Sequence, residues 1–404
     1  MTDRATEPFQ LSKRRTLFVR SSQRSRPTGR RATRVRRIAA IAAVICLVPA
    51  FISYLGVVAR PSDSSIGIRT VEWLRDNGAR GLVDRVENLY YSLTAPSRGG
   101  PALKALPKQS GAVAVIPAQS PRLRFHLPPI RHYRPPNIAP VIHPALPGEG
   151  VWHPTFAGGG PRPPVLITSF RPEPEYPQLV AGLAWIDHTR TSVMLYPGLS
   201  EPAVTVPSRG PAEVPPAMRS GLVATFNSAF KLQDSGGGFA YNGRTYAPMR
   251  ANTATILRYR SGRVDVISWH GGPEVPPNVL YARQNLPLIV NGSQPNPKLS
   301  DGPAWGATLG NAIMVWRSAV GIDRHGNLIY AAANDQTVAS LAAIMIRAGA
   351  VRAMELDINA YWTSFITYRY PDAHAPANLL ADMDRAPTRY LTPDDRDFFA
   401  VYVR

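Results

Sequence analysis

The run Thr337-Val338-Ala339-Ser340-Leu341-Ala342-Ala343-Ile344-Met345-Ile346-Arg347-Ala348-Gly349, continued by Ala350-Val351-Arg352-Ala353-Met354-Glu355-Leu356-Asp357-Ile358-Asn359, decides the fold class. Its first half puts Val338, Leu341, Ala342, Met345 and Ile346 on one helical stripe, and Gly349 stops the helix. Its second half, Val351 to Asp357, reads as a buried strand. Alternate side chains of a strand share a face, so Glu355 and Asp357 are expected to point the same way, with Cα atoms about 6.6 Å apart. Two acids at the C-terminal end of a strand suit a site in a crevice.

Outward from this run the chain is rich in strand signals. Leu183–Leu195 reads as strand, turn, strand, and Leu222–Phe226 as an apolar strand leading into Asn227. Thr253–Tyr259 and Val264–Trp269 flank Ser261-Gly262, a hairpin signal, and Leu286–Val290 runs into Asn291-Gly292. Ile313–Ile322 and Leu328–Ala333 flank a turn that Asp323 opens. Many strands and few helices imply a mixed α/β (α+β) class, with one strand-rich catalytic domain built on a mixed sheet over 165–404.

Upstream, composition changes sharply. The chain has 404 residues and a formal net charge of +19, which invites a polyanion reading. Residues 1–37 hold 12 Lys and Arg against two acids, so more than half of that excess sits in a tail expected to be disordered. Nucleic-acid binding by the remainder is therefore not expected. Residues 38–59 are uncharged and long enough to span a bilayer. With the basic tail in front, the positive-inside rule puts the N-terminus in the cytoplasm and the C-terminal domain outside, as a single-pass cell-membrane protein; a cleaved signal peptide is the alternative. Residues 60–94 read as two amphipathic juxtamembrane helices broken at Asn77-Gly78. Residues 95–164 read as a Pro-rich linker, part of a stretch (95–217) that holds 25 of the 41 prolines. The single Cys46 excludes an intrachain disulfide framework and a Cys-based zinc site.

Walker, G-x-S-x-G, H-E-x-x-H and Rossmann signatures are absent. The glycine triplets Gly158–Gly160 and Gly236–Gly238 read as linker and as a flexible loop. Arg317 lies within an apolar strand and needs an anionic partner, either a protein carboxylate or a substrate phosphate. Glu355 and Asp357 should repel each other, leaving one carboxyl with a raised pKa as an acid and the other ionised. Alternatively, Glu355 is a satisfied structural carboxylate and Asp357 works alone.

In order along the chain, Asn227-Ser228-Ala229-Phe230, Arg317-Ser318-Ala319-Val320-Gly321-Ile322-Asp323, Met345 to Gly349 and Glu355-Leu356-Asp357-Ile358-Asn359 resemble the motifs of the phosphodiester glycosidase family, over roughly Leu222 to Phe365. The resemblance implies hydrolysis of a sugar-1-phosphodiester at the sugar–oxygen bond. It carries over to Asn227, Arg317, Gly321 and Asp357. Where the family has glycines after the Asp and after the Asn, this chain has Ile358, Asn359 and Ala360, and Ser228 and Ala229. Such glycines permit positive φ or close backbone approach, so their loss bears on pocket shape, substrate or catalysis.

The resulting expectation is a membrane-anchored extracytoplasmic hydrolase acting on cell-envelope glycan or sugar-phosphate material. Its catalytic candidates are Asp357, Glu355 and Asn227, and its substrate-binding candidates are Arg317, Lys231, Arg250, Asn359 and Gly321. Lys231 and Arg250 enter only as cations near the motifs. No cofactor is expected; a divalent cation on the oxygen ligands of Glu355, Asp357 and Asn359 is the alternative. The competing function is a catalytically silent glycan-binding or scaffold protein using the same pocket.

Overall fold

The computed structural model describes residues 29–62, 64–113, 133–155, 163–306 and 314–404. Most of the basic tail, part of the Pro-rich stretch and Gly158–Gly160 fall outside these residues. The chain divides into two compact units, Met1–Ala59 and Arg60–Arg404. In the first unit, α1 (Gly29–Val58) contains Pro49, and its segment Thr33–Val58 is long and apolar enough to cross a membrane. A signal sequence would have the same character.

The second unit opens with a helical hairpin, α2 (Ile66–Leu74) and α3 (Arg80–Thr94). The expected break falls between them, where Gly78 takes φ +88°. Next come β1 (His153–Pro154), β2 (Val165–Phe170), β3 (Ala181–Ile186), β4 (Thr191–Tyr196) and β5 (Leu222–Asn227). The short α4 (Leu232–Ser235) precedes β6 (Phe239–Tyr241), β7 (Arg244–Ala247), β8 (Ala254–Tyr259) and β9 (Val264–Ser268). Then follow β10 (Val279–Gln284), β11 (Leu288–Asn291), β12 (Gln294–Pro295), β13 (Val315–Asp323) and β14 (Leu328–Gln336). The chain closes with α5 (Val338–Arg347), β15 (Ala350–Ile358), β16 (Phe365–Arg369), β17 (His374–Asn378) and β18 (Phe398–Val403).

These strands form three sheets, ordered β1-β2-β3-β14-β13-β15-β11-β12, β17-β16-β5-β18-β4 and β7-β6-β10-β8-β9. The strand-rich mixture of α and β is as the sequence implied. The ladders differ from a mixed sheet, because every pairing among the described residues is antiparallel. The reason lies in the run that decides the fold. Helix α5 carries the chain from β14 to β15, but β13 is inserted between these strands and pairs antiparallel with both. Val338, Leu341, Ala342 and Met345 are buried on the helical stripe, and Thr337 caps it with a reciprocal Thr337–Ser340 box.

Both faces of the eight-stranded sheet are covered, which explains its continuous apolar strands. One face shares a core with the other sheets through Ile167, Val320, Met354 and Leu356 against Phe226, Phe365, Phe399 and Ile256. The other holds Leu183, Ala319, Ile329 and Ala353 under Leu341 and Met345 of α5. Gly321 lies where these layers meet. A Cβ there would stand 2.4 Å from the Arg352 carbonyl oxygen and 2.9 Å from Met345 Cε.

The domain also draws in chain from before Val165. Trp152 is buried, and Glu149 pairs with Arg171 at 2.8 Å with both side chains inside. The interior holds further guanidinium–carboxylate pairs: Arg283–Asp397, Arg317–Glu355, Arg396–Asp357, and Arg385 and Arg389 on Asp394. Only five of the 46 basic residues are Lys, and these burials give part of that bias a physical basis. A guanidinium sheds water more readily than an ammonium and can serve several acceptors from one fixed fork.

Candidate active site

Residues just after β5, on β15 and in the segment before β18 come together beside the helical hairpin. The backbone N–H of Asp357, on β15, donates to the Ser228 carbonyl at 2.9 Å. Its own carbonyl accepts from Ser318 Oγ at 2.7 Å and from Thr363 Oγ1 at 3.3 Å. The carboxyl group accepts from the Ile358 N–H at 3.0 Å and pairs with Arg396. Burial raises the Asp357 pKa above the ordinary carboxylate value, and Arg396 offsets part of that rise.

A cleft of about 400 Å³ lies here, lined by Asp357, Asn359, Trp362, Lys231 and Arg396 from the strand domain and by Glu72 and Arg75 from the hairpin, among others. The Arg396 guanidinium carbon stands 4.8 Å from the centroid of the Trp362 ring. Lys231 Nζ pairs with Glu72, whose other oxygen accepts from Arg75 Nη1 at 2.8 Å. The hairpin is pinned over the cleft by Arg80–Asp234 at 3.0 Å and by the Ser65 N–H on Tyr361 Oη at 2.9 Å. Tyr91 of α3 packs against Phe230, Val315 and Ile358.

The other candidates fall in two groups. Lys231, Asp357 and Asn359 line the cleft, while Asn227, Arg250, Arg317, Gly321 and Glu355 are not among its lining residues. Arg317, almost fully buried, donates to the carbonyls of Gln336 and Trp305 and pairs with Glu355. Glu355 Oε2 has no partner, and burial raises the Glu355 pKa to about 7, with Arg317 acting against the rise and Asp357 adding least. Each carboxyl thus holds its own guanidinium. A shift of register lies between the Arg317↔Ile358 and Ala319↔Glu355 pairs of β13 and β15, and it separates Glu355 from Asp357.

Asn227 is saturated. Its Oδ1 accepts from Tyr330 Oη at 2.8 Å and the Ser364 N–H at 3.0 Å, and its Nδ2 donates to Ser318 Oγ at 3.0 Å and the Ser228 carbonyl at 3.1 Å. Arg250 is exposed, and its backbone N–H donates to Gln284 Oε1 at 2.8 Å. Asn359 has φ +95°, a conformation that glycine adopts without strain, and its Oδ1 accepts from the Tyr361 N–H at 2.9 Å. Among the described residues no three His, Cys, Asp or Glu side chains gather in a metal-binding cluster.

Sequence reasoning did not single out Arg396, Trp362, Glu72 or Arg75. The first lies in Asp394-Asp395-Arg396-Asp397, a charged run before an apolar strand that reads as a solvated turn. In the fold Asp394, Arg396 and Asp397 are all buried. Long-range pairing decides that, and no local pattern signals it.

The domain is thus a strand-rich α/β fold with a charged cleft at the end of a central strand. Residues 218–357 match the family model for phosphodiester glycosidase, so the resemblance carried by the motifs holds over that stretch. Among solved structures, the chain is similar to the catalytic domain of zebrafish N-acetylglucosamine-1-phosphodiester alpha-N-acetylglucosaminidase, auto-inhibited by pro-peptide. That match has 16% identity and a TM-score of 0.39, over 61% of this chain and 85% of the other. It is also similar to a hypothetical protein from Synechocystis at 13% identity and a TM-score of 0.33, over 56% and 59% of the two chains. No curated protein sequence matches.

Proposed function

We propose that this chain is a membrane-anchored extracytoplasmic hydrolase that splits a sugar-1-phosphodiester of cell-envelope glycan or sugar-phosphate material. The observation that carries the reading is the cleft itself, where the Asp357 carboxyl is paired with Arg396 and Lys231 lines the same space, within and beside the phosphodiester glycosidase segment. Water adds at the anomeric carbon, and the bond from that carbon to the ester oxygen breaks. The electron pair leaves on the phosphate oxygen, and the water's surplus proton passes to solvent. The products are free sugar and a phosphomonoester.

Asp357 faces the positive charge that develops on the sugar ring. The leaving group is already an anion of low basicity, so it needs cations more than a proton, and Lys231 and Arg396 supply them. Asn227 is a positioning residue, acting on Asp357 through Ser318 and Ser228. Arg317 and Glu355 brace β13 against β15 beneath it. The uncharged segment of α1, with the basic tail before it, supports the anchor and its orientation.

The test is release of reducing sugar from a panel of sugar-1-phosphodiesters by the detergent-purified full chain, compared with Asp357→Asn. Release by the parent and its loss in the variant support the reading. Absence of release across the panel defeats it. A silent glycan-binding protein is the second reading, motivated by the replaced glycines Ser228, Ala229, Ile358, Asn359 and Ala360. It requires saturable glycan binding without turnover, with Asp357→Asn changing affinity alone.

A further inference from the structure

Helix α3 is apolar on two faces, and the fold covers one of them. Val83 is buried, Tyr91 packs against Phe230, Val315 and Ile358, and Arg80 and Glu87 line the cleft, so this side of the helix faces inward. Leu82, Val86, Leu89 and Leu93 lie on the outer side and are between 61% and 77% exposed. With 3.6 residues per turn, these four fall within an arc of about 60°. Tyr90 and Arg85, both exposed, border the arc on its two sides. A helix on the surface of a domain ordinarily turns charged and polar residues outward, and a contiguous apolar stripe there marks an interaction site.

The place of the stripe in the chain points to its partner. Seven residues separate α1, which ends at Val58, from α2, which starts at Ile66. Arg69 of α2 gathers this connection: Nε donates to the Ser64 carbonyl at 2.8 Å, Nη1 to the Arg60 carbonyl at 2.7 Å and Nη2 to the Ser62 carbonyl. The link from the membrane-crossing segment is therefore a short folded strap. A bilayer tethered so closely is met as an intramolecular partner. A second copy of the chain has to be met by diffusion, and a stable dimer buries about 800 Å² on each side, more than four side chains of this size offer.

The edges of the stripe agree with a bilayer. Tyr and Arg each combine an apolar body with a polar tip, which suits them to the headgroup level. Residues 60–94 hold five bases (Arg60, Arg69, Arg75, Arg80, Arg85) and five acids (Asp63, Glu72, Asp76, Asp84, Glu87), so the hairpin carries no net charge. Apolar contact then supplies the affinity, without attraction to anionic lipid.

We infer that the outer face of α3 is a membrane-docking surface: Leu82, Val86, Leu89 and Leu93 enter the boundary between headgroups and acyl chains, with Arg85 and Tyr90 at headgroup level. This rests on the anchor reading of α1 and adds a second attachment to it. The inner side of the same helix lines the cleft, so docking holds the cleft about 10 Å, one helix diameter, from the headgroups.

The experiment reconstitutes the full chain in phosphatidylcholine nanodiscs with a nitrobenzoxadiazole label on one thiol at a time. The thiols are Leu89→Cys or Leu93→Cys in a Cys46→Ser background, Ser261→Cys in the same background as an exposed reference, and the native Cys46 within α1. Lipids carrying a nitroxide on the acyl chain quench labels in the bilayer, and iodide quenches labels in water. The labels on Leu89→Cys and Leu93→Cys should be quenched by the lipid and at least about threefold less by iodide than the reference, unchanged by added salt. Val86→Asp with Leu89→Asp should return the Leu93→Cys label to water without lowering the melting temperature in detergent. Iodide quenching of the Leu89→Cys label equal to the reference overturns the inference. So does protection from both quenchers, which would put a second copy on the stripe. A lipid-quenched label on Leu89→Cys beside an unquenched Cys46 keeps the docking and removes the anchor, whereas the reverse pair keeps the anchor and removes the docking.

Discussion

Asn227 and Asp357 stand near the ends of strands in two different sheets, and a single hydroxyl joins them. Asn227 Nδ2 donates to Ser318 Oγ, and Ser318 Oγ donates to the Asp357 carbonyl, at 3.0 and 2.7 Å. The Asp357 N–H closes the loop on the Ser228 carbonyl. The backbone on both sides of the carboxyl group is thereby fixed before any ligand arrives.

Ser318→Ala should break this link while leaving the side-chain volume nearly unchanged. Loss of a buried hydroxyl and of its partners' bonds costs about 1–3 kcal/mol. Under the hydrolase reading kcat falls about tenfold with KM little changed, because the variant moves the carboxyl without touching the cations. Thermal unfolding and initial-rate kinetics on the same preparation check both parts. An unchanged kcat would remove Asn227 and Ser318 from the positioning role.

Asp357→Asn tests the carboxyl group more directly. It removes the carboxylate that Arg396 hydrogen-bonds in the interior, so the melting temperature should fall by several degrees while the far-UV spectrum is retained. Sugar release should drop by at least about a hundredfold, the scale of losing a charge that acts in the transition state. Release near the parent level would show that Asp357 is only an internal counter-ion.

Glu355 sets a pH dependence of stability. Its pKa is about 7 in the fold against an ordinary 4.5, so between these values the folded state holds a proton that the unfolded chain has lost. Stability is therefore full below about pH 4.5, declines as pH rises towards 7 and levels off above, by about 3 kcal/mol at most. In Glu355→Gln that decline should vanish from denaturant titrations run between pH 4.5 and 8. Persistence of the same slope would assign it to other groups.

Asn359 occupies left-handed backbone at φ +95°. Asn359→Gly should keep or raise the midpoint of thermal unfolding, whereas Asn359→Ala should lower stability by about 1 kcal/mol or more. The backbone here retains a glycine's conformation although the residue is Asn, and the pair of variants measures what that retention costs. Equal stability of the Gly and Ala variants would show no strain at this position.

The sequence was most legible where one local rule sufficed. The stripe of α5, its stop at Gly349, the hairpin of β8 and β9 and the break at Gly78 follow from periodicity and turn chemistry. The two carboxyls were legible as positions but not as neighbours, because alternation predicts a shared face and the register shift beside β13 gives each its own arginine. Asn227 was legible as a strand end, but its four hydrogen bonds come from partners up to 137 residues away. The cleft was least legible. Arg396 and Glu72 are separated by most of the chain, and only the folded domain puts their charges together.

The buried guanidinium–carboxylate pairs have a consequence for how this sequence can drift. Removing one partner strands a charge in the interior, at a cost of about 3–5 kcal/mol, while replacing both with apolar residues of similar volume is close to neutral. Arg283 with Asp397 and Arg171 with Glu149 should therefore be lost or kept together among relatives, as two-site changes and never as single ones. Arg396 with Asp357 should resist even the double change, because its guanidinium is also part of the cleft. Paired substitution at the first two sites and fixity at the third would separate scaffold from chemistry in any collection of related chains.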